Sequence, residues 1–181
     1  SGGAGARPAQ DGLSATPYPS GVRNVPVEIT EAITPIVIWQ KDYRQDSGGA
    51  GKQRGGLGQT MVIANRETAP FGIYASFERV LFPARGRDGG DVGAKGRISL
   101  ESGPVLRHKG FQVVPAEDRL IVEMPGGGGY GAPRTRAPET VAEDVRNGLV
   151  TPEAAREAYA VVVDADGVID GPATDALRGE G

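Results

Sequence analysis

Gln59-Thr60-Met61-Val62-Ile63-Ala64-Asn65 and Phe71-Gly72-Ile73-Tyr74-Ala75-Ser76-Phe77 are short apolar runs separated by Arg66-Glu67-Thr68-Ala69-Pro70. Both carry β-branched and aromatic side chains, and both have strand length. Working outward, Ile36-Val37-Ile38-Trp39 is a β-branched run before them, and Pro26-Val27-Glu28-Ile29 alternates like extended chain. Arg97–Leu100, Gly110–Val114 and Arg119–Glu123 are strand candidates after them. Ser47-Gly48-Gly49-Ala50-Gly51, Arg87-Asp88-Gly89-Gly90 and Glu101-Ser102-Gly103-Pro104 break the chain between candidates. Val occurs 18 times and Leu 8 times, a balance that suits strands. Short strands with Gly and Pro punctuation predict a mainly β fold, sandwich or barrel-like, with Gly-rich loops.

The last 50 residues read differently. Pro138–Arg146 opens with Pro and an acid and meets Asn147-Gly148, which are start and stop signals of a helix. Thr151-Pro152-Glu153 supplies an N-cap hydroxyl, Pro at the first helical position and an acid in the first turn, for a helix ending near Tyr159. Ala160–Val163 and Val168-Ile169 flank an Asp166-Gly167 turn, and Pro172–Arg178 reads as a last short helix. The expected organisation is therefore a Gly/Pro-rich segment over 1–24, a β-rich region over 25–131, and a helical tail with a terminal hairpin over 132–181. The first segment reads as exposed connection, or as backbone threaded through another unit.

Composition narrows the chemistry. The chain has 181 residues, with 29 Gly and 14 Pro, and a formal net charge of −3. Val, Ile, Leu and Phe together make roughly a fifth of it, barely above the disordered range. There is no Cys and one His, so thiolate sites and a His-based metal cluster are excluded within the chain. No apolar run approaches the ~20 residues of a membrane helix. Near charge balance speaks against nucleic acid, so neither a membrane nor a nucleic acid is expected as partner. A loop-rich chain this short of core is a candidate for burial against something larger.

Gly126-Gly127-Gly128-Gly129-Tyr130-Gly131 formally contains G-x-G-x-x-G, but Ala132-Pro133-Arg134 follows where a phosphate-binding helix should open. The simpler reading is that no Cβ fits there, because another backbone packs close or because φ is positive. Gly51-Lys52 resembles the end of a P-loop, but Asp46 stands at the first glycine position and Gln53 at the magnesium-binding hydroxyl. Lys52 and Arg54 read as solvated loop bases that could meet an anion. His108, between Arg107 and Lys109, tends toward the neutral form and has no acid nearby in sequence to orient it. Lys52, Arg54 and His108 are the candidate catalytic groups. Asp164, Asp166 and Asp170 fit a hairpin better than a calcium loop.

The order of segments is more telling. Tyr43–Gly58, Met124–Gly131 and Asp144–Ala155 resemble three successive signatures of the B-type subunit of ATP-dependent hydantoinases, N-methylhydantoinases and 5-oxoprolinases. Gly5-Ala6-Arg7-Pro8 and Arg23–Glu28 resemble the stretch preceding the first signature. The family is related to the acetone and acetophenone carboxylases. Departures occur at Ala160, where the family usually has Gly after Tyr, at Glu117-Asp118, and over Arg79–Ala84.

The resemblance implies the C-terminal portion of a B-type subunit. Its partners would be the N-terminal portion of that subunit and an A-type ATP-binding subunit. ATP and Mg would be held within the A-type partner. A divalent metal would belong to the N-terminal portion, and no cofactor is expected in this chain. The implied reaction is cytoplasmic, ATP-dependent opening of a cyclic amide such as hydantoin, N-methylhydantoin or 5-oxoproline. This chain alone is expected to be inactive. Ketone carboxylation is the alternative reaction, and a non-catalytic β scaffold is the non-enzymatic alternative. Gly density without a following helix sets a further expectation, that two loops lie at an interface or line a channel. They hold Asp46, Ser47, Gly48, Gly49 and Gly51, and Gly126, Gly127, Gly128, Gly129 and Tyr130.

Overall fold

A computed structural model describes residues 1–16 and 25–179. Residues 17–24 of the expected N-terminal segment, and 180–181, lie outside the described residues. The regular elements are α1 (Val27–Ile33), β1 (Ile36–Tyr43), β2 (Gln59–Asn65), β3 (Phe71–Ser76), β4 (Arg97–Leu100), β5 (Lys109–Val114), β6 (Leu120–Glu123), α2 (Pro138–Arg146), α3 (Pro152–Tyr159) and α4 (Gly171–Gly179).

The strands form a four-stranded antiparallel sheet in the order β1-β2-β6-β4 and a two-stranded antiparallel sheet of β3 and β5. Among the described residues the strands close no barrel; the two sheets pack as a small sandwich. Ile98, Leu100, Leu120 and Val122 of the larger sheet pack with Val114, Phe71 and Ile73 of the smaller one. Trp39 sits at a register shift in β1, and the Arg119 guanidinium lies 4.7 Å from its ring centroid.

One expectation fails at the start. Val27–Ile29 opens α1, with Pro26 at its N-cap, and is not extended chain. The alternation lasts four residues only. Pro26 precedes the first turn and accepts from Thr30 N, while Glu28 sits where a helix N-terminus favours an acid. α1 buries none of its residues. It meets β1 through Glu31, whose carboxylate accepts Ile38 N at 2.8 Å.

Beside the sandwich lies a second kind of core, built from backbone. Residues 125–130 run through its middle. A Cβ on Gly126 would fall 1.6 Å from Ser47 O, and on Gly129 2.1 Å from Ala50 O. The equivalent atom on Gly127 would meet Ala4 O at 1.9 Å, and on Gly128 Arg85 O at 2.1 Å. Residues three apart thus face the same neighbouring segment, and Gly93 and Gly90 approach Gly126 and Gly129 with the same spacing. Three residues per turn is the repeat of polyproline II, which has no internal hydrogen bonds. The bonds therefore run between segments. Gly126 N and Gly129 N donate to Ala94 O and Asp91 O, Gly127 N and Tyr130 N to Gly56 O and Gln53 O, and Gly3 N and Ala6 N to Pro125 O and Gly128 O. Residues 1–16 are thus threaded through this chain's own bundle.

The tail has its own apolar cluster of Val141, Val145, Ala155, Tyr159, Val161 and Val163, which reaches the bundle through Ala50. Thr151 caps α3 by accepting Ala154 N at 3.1 Å. Asp170 accepts Ala173 N at the start of α4. The expected terminal hairpin is reduced to one antiparallel bridge, Val163 to Ile169, turning at Gly167. Asp164 accepts the N–H groups of Asp166 and Val168, so its carboxylate organises the turn. Ala160 ends α3 in the left-handed region at φ 54, the conformation for which a glycine would be suited.

Candidate functional site

The fold brings Tyr43–Gly58, Met124–Gly131 and Asp144–Ala155 together. The first two share the glycine bundle. The third docks on the first, where Asp46 N donates to Leu149 O and the Asp46 carboxylate accepts Thr151 N at 2.8 Å.

Under this junction lies a buried ionic cluster. Arg54 is 5% exposed, Arg136 3% and Asp144 6%. Arg136 makes a two-pronged contact with the Asp11 carboxylate, both bonds at 2.8 Å, and donates to Asp144 Oδ2 at 2.7 Å and to Lys52 O at 3.0 Å. Arg54 reaches Asp144 through Nε at 3.3 Å and through its terminal nitrogen at 3.4 Å, and donates to Gly55 O. Its backbone N–H donates to Asp11 Oδ1. Two guanidinium groups and two carboxylates neutralise one another and tie residues 1–16, the glycine bundle and α2 together. Burial works to raise the Asp11 carboxyl, but the bonds and charge of Arg136, with Arg54, outweigh it and hold the group below its ordinary value. Burial works to lower the Arg136 guanidinium, and Asp11 and Asp144 more than reverse that. Burial pushes the neighbouring Tyr159 phenol up to about 12.

Arg54 is therefore not a solvated base. Its side chain turns inward because Asp144, 90 residues away, supplies a carboxylate. Lys52 is exposed, and its N–H donates to Gly131 O. Lys52 and Arg136 share a shallow cleft of about 250 Å³ with Asp11, Gln53 and Thr140. Ser47 is buried and accepts Gly58 N at 2.9 Å, which makes it a loop staple. Asp46 is exposed and Tyr130 half-buried, whereas Gly49, Gly51 and Gly126 to Gly129 are buried against this chain's own backbone. His108 stands apart from this cluster, beside a separate cleft with Phe77 to Phe82. Nothing in the sequence marks Asp11, Arg136 and Asp144 as one group, because only folding juxtaposes them.

Most N–H groups of the two glycine stretches are already bonded within this chain. A phosphate cradle needs free N–H groups. Those of Gly126, Gly127, Gly129, Tyr130 and Gly131, and of Gly49, Lys52, Gln53, Gly55 and Gly56, are engaged by carbonyls of this chain. Among the described residues no group of three or more His, Cys, Asp or Glu is placed to hold a metal. No helix among them is long and apolar enough to cross a membrane.

A family profile described as Hydantoinase B/oxoprolinase matches residues 1–133. The chain belongs to this family. Among relatives in the family, the beta chain of caprolactamase from Pseudomonas jessenii is 35% identical over 97% of this chain and 32% of its own length. The B-type chain of a putative D-/L-hydantoinase from a Pseudomonas species is 29% identical over 96% of this chain and 30% of its own length. The crystal structure of ATP-dependent caprolactamase from Pseudomonas jessenii superposes with a TM-score of 0.82 at 29% identity, covering 98% of this chain and 32% of that one. Nucleotide-free acetone carboxylase shares the fold, with a TM-score of 0.73 at 23% identity over 99% of this chain and 29% of that one. The chain thus spans about a third of the length of these relatives.

Proposed function

We propose that this chain is the C-terminal portion of a B-type subunit in an ATP-dependent enzyme that opens cyclic amides of the hydantoin, N-methylhydantoin or 5-oxoproline kind. The observation that carries this reading is the family match over residues 1–133, together with the likeness to caprolactamase across nearly the whole chain. In this reading ATP and Mg belong to an A-type partner subunit, any divalent metal belongs to the N-terminal portion of the B-type subunit, and the assembly works in the cytoplasm. The engaged N–H groups of both glycine stretches support keeping the nucleotide elsewhere. This chain acts as a rigid wall. The rim of the bundle at Asp46, Lys52 and Tyr130 is the part offered to an adjoining unit or a substrate passage.

The test is the assembled enzyme with ATP and a panel of hydantoin, N-methylhydantoin, 5-oxoproline and caprolactam, and separately acetone with bicarbonate. ATP-dependent ring opening is expected. Carboxylation of the ketone without ring opening would transfer the chain to the carboxylase branch, and no turnover of either class would leave a scaffold. Lys52 is the base to test within that assembly. Lys52→Ala leaves stability within about 0.5 kcal/mol, as at other exposed sites, so any fall in turnover reports contact with substrate or partner.

A further inference from the structure

The ribbon of β3 and β5 carries large apolar side chains on both faces. Phe71, Ile73, Ala75 and Val114 point into the sandwich core. The opposite face carries Gly72, Tyr74 and Ser76 against Val113, Phe111 and Lys109 in register. Antiparallel ribbons with one face in water alternate apolar and polar. Here Tyr74 is 85% exposed, and Phe111 and Val113 are about half exposed. The Tyr74 and Phe111 rings lie 5.0 Å apart, and Phe111 covers Gly72, where a Cβ would meet its ring at 2.6 Å. The aromatic pair is already arranged without a cover.

Past the end of the ladder Phe77 N donates to His108 O, and the Phe77 ring packs against the sandwich core. A cleft of about 550 Å³ opens there between Phe77 to Phe82 and His108. Phe82, 81% exposed, and Leu81 stand at its mouth. Arg79 holds φ 61, a left-handed conformation rare for a non-glycine residue. The rim carries Arg79, Arg107 and Lys109, with Glu78 as the facing acid, and Lys109 already pairs with it. An uncovered apolar centre with a cationic rim is the anatomy of an interface.

We infer that the outward face of β3 and β5, with the cleft at Phe77–Phe82, is the surface on which the additional region of the B-type subunit packs, through an apolar patch with an acidic border and one bulky side chain entering the cleft. This rests on the B-type reading above. The B-type relatives are about three times as long as the part this chain matches, so a B-type polypeptide brings roughly twice this chain's length against it. A region of that size, on the same polypeptide, is large enough to bury the whole face, and the rim's excess positive charge selects the sign of its border.

The experiment places a photo-crosslinking residue at Tyr74, at Phe82, or at Val168 in the complete B-type polypeptide assembled with its A-type partner. Val168 is exposed and lies in the terminal turn. Crosslinks from positions 74 and 82 to the additional B-type region are expected, with little from 168. Phe82→Asp should cut the crosslink from position 74 by roughly tenfold, as loss of a buried anchor does. Crosslinks from 74 and 82 to the A-type subunit or to a second copy overturn the inference, as does equal labelling from 168. The readout needs no substrate. Expected crosslinks in an assembly that opens no cyclic amide would keep this surface and discard the hydrolase reading.

Discussion

The sandwich and the glycine bundle are two cores in one chain that exclude water by different means. In the sandwich, side chains do it. Ile98, Leu100, Val114, Leu120 and Val122 interdigitate between sheets. In the bundle, backbone does it. Segments approach so closely that side chains have no room, and polar N–H and C=O groups bond across the gaps. A side-chain core draws on apolar area and tolerates modest changes of volume. A backbone core draws on many hydrogen bonds of about 1 kcal/mol each, against the large ordering entropy of glycine. It has no slack, because displacing one carbonyl displaces a whole segment.

The largest expected effect tests that difference. Gly126→Ala puts a methyl 1.6 Å from Ser47 O, and should cost more than about 4 kcal/mol, so that no soluble folded product remains. Gly171→Ala meets open space and should stay within about 0.5 kcal/mol. If both variants melt alike by circular dichroism, the bundle is not close-packed.

Arg54→Ala comes next. It leaves Asp144 with Arg136 alone and should cost about 3 kcal/mol in urea unfolding, the low end for breaking a buried pair. Arg54→Lys should recover little of it, since an ammonium cannot span the two oxygens. Its effect on turnover would then follow from loss of structure, unlike that of Lys52→Ala. In the sandwich, Ile98→Val removes one methylene from a side chain that is 1% exposed, and should cost about 0.5–1.5 kcal/mol. A cost equal to that of Gly126→Ala would erase the contrast between the cores.

The smallest effect is acid loosening. The Asp11 carboxyl is held below its ordinary value of 3.8, so its contribution is complete at neutral pH and fades as pH falls through that depressed value. Below about pH 4, residues 1–16 should lose amide protection before the sandwich does. Asp11→Asn should remove that order of events, and hydrogen exchange by mass spectrometry reads both.

How far the sequence could be read differs between the same two regions. β2, β4 and α2 are predicted to the residue, because β-branched runs, Gly punctuation and Pro placement are local signals. The Thr151 cap is likewise visible before folding. Pro26–Ile29 misleads, because four alternating residues cannot distinguish a strand from a first helical turn. The close approach at Gly126–Gly129 is legible in kind, as a place without room for Cβ, but its partners are not. Arg54 looks solvated in a loop of Gly and Lys, and nothing near it in sequence announces Asp144.

By itself the sequence determined the strands of the two sheets, the helices α2 and α3, the family and the positions where side chains are excluded, since each depends on neighbours a few residues away or on a motif carried whole. Only the tertiary structure decided which backbone fills the space beside each glycine, that Asp11, Arg54, Arg136 and Asp144 share one buried site, and which face of β3 and β5 stays bare. Those depend on contacts across tens of residues, where distance in space is set by the path of the whole chain and not by spacing along it.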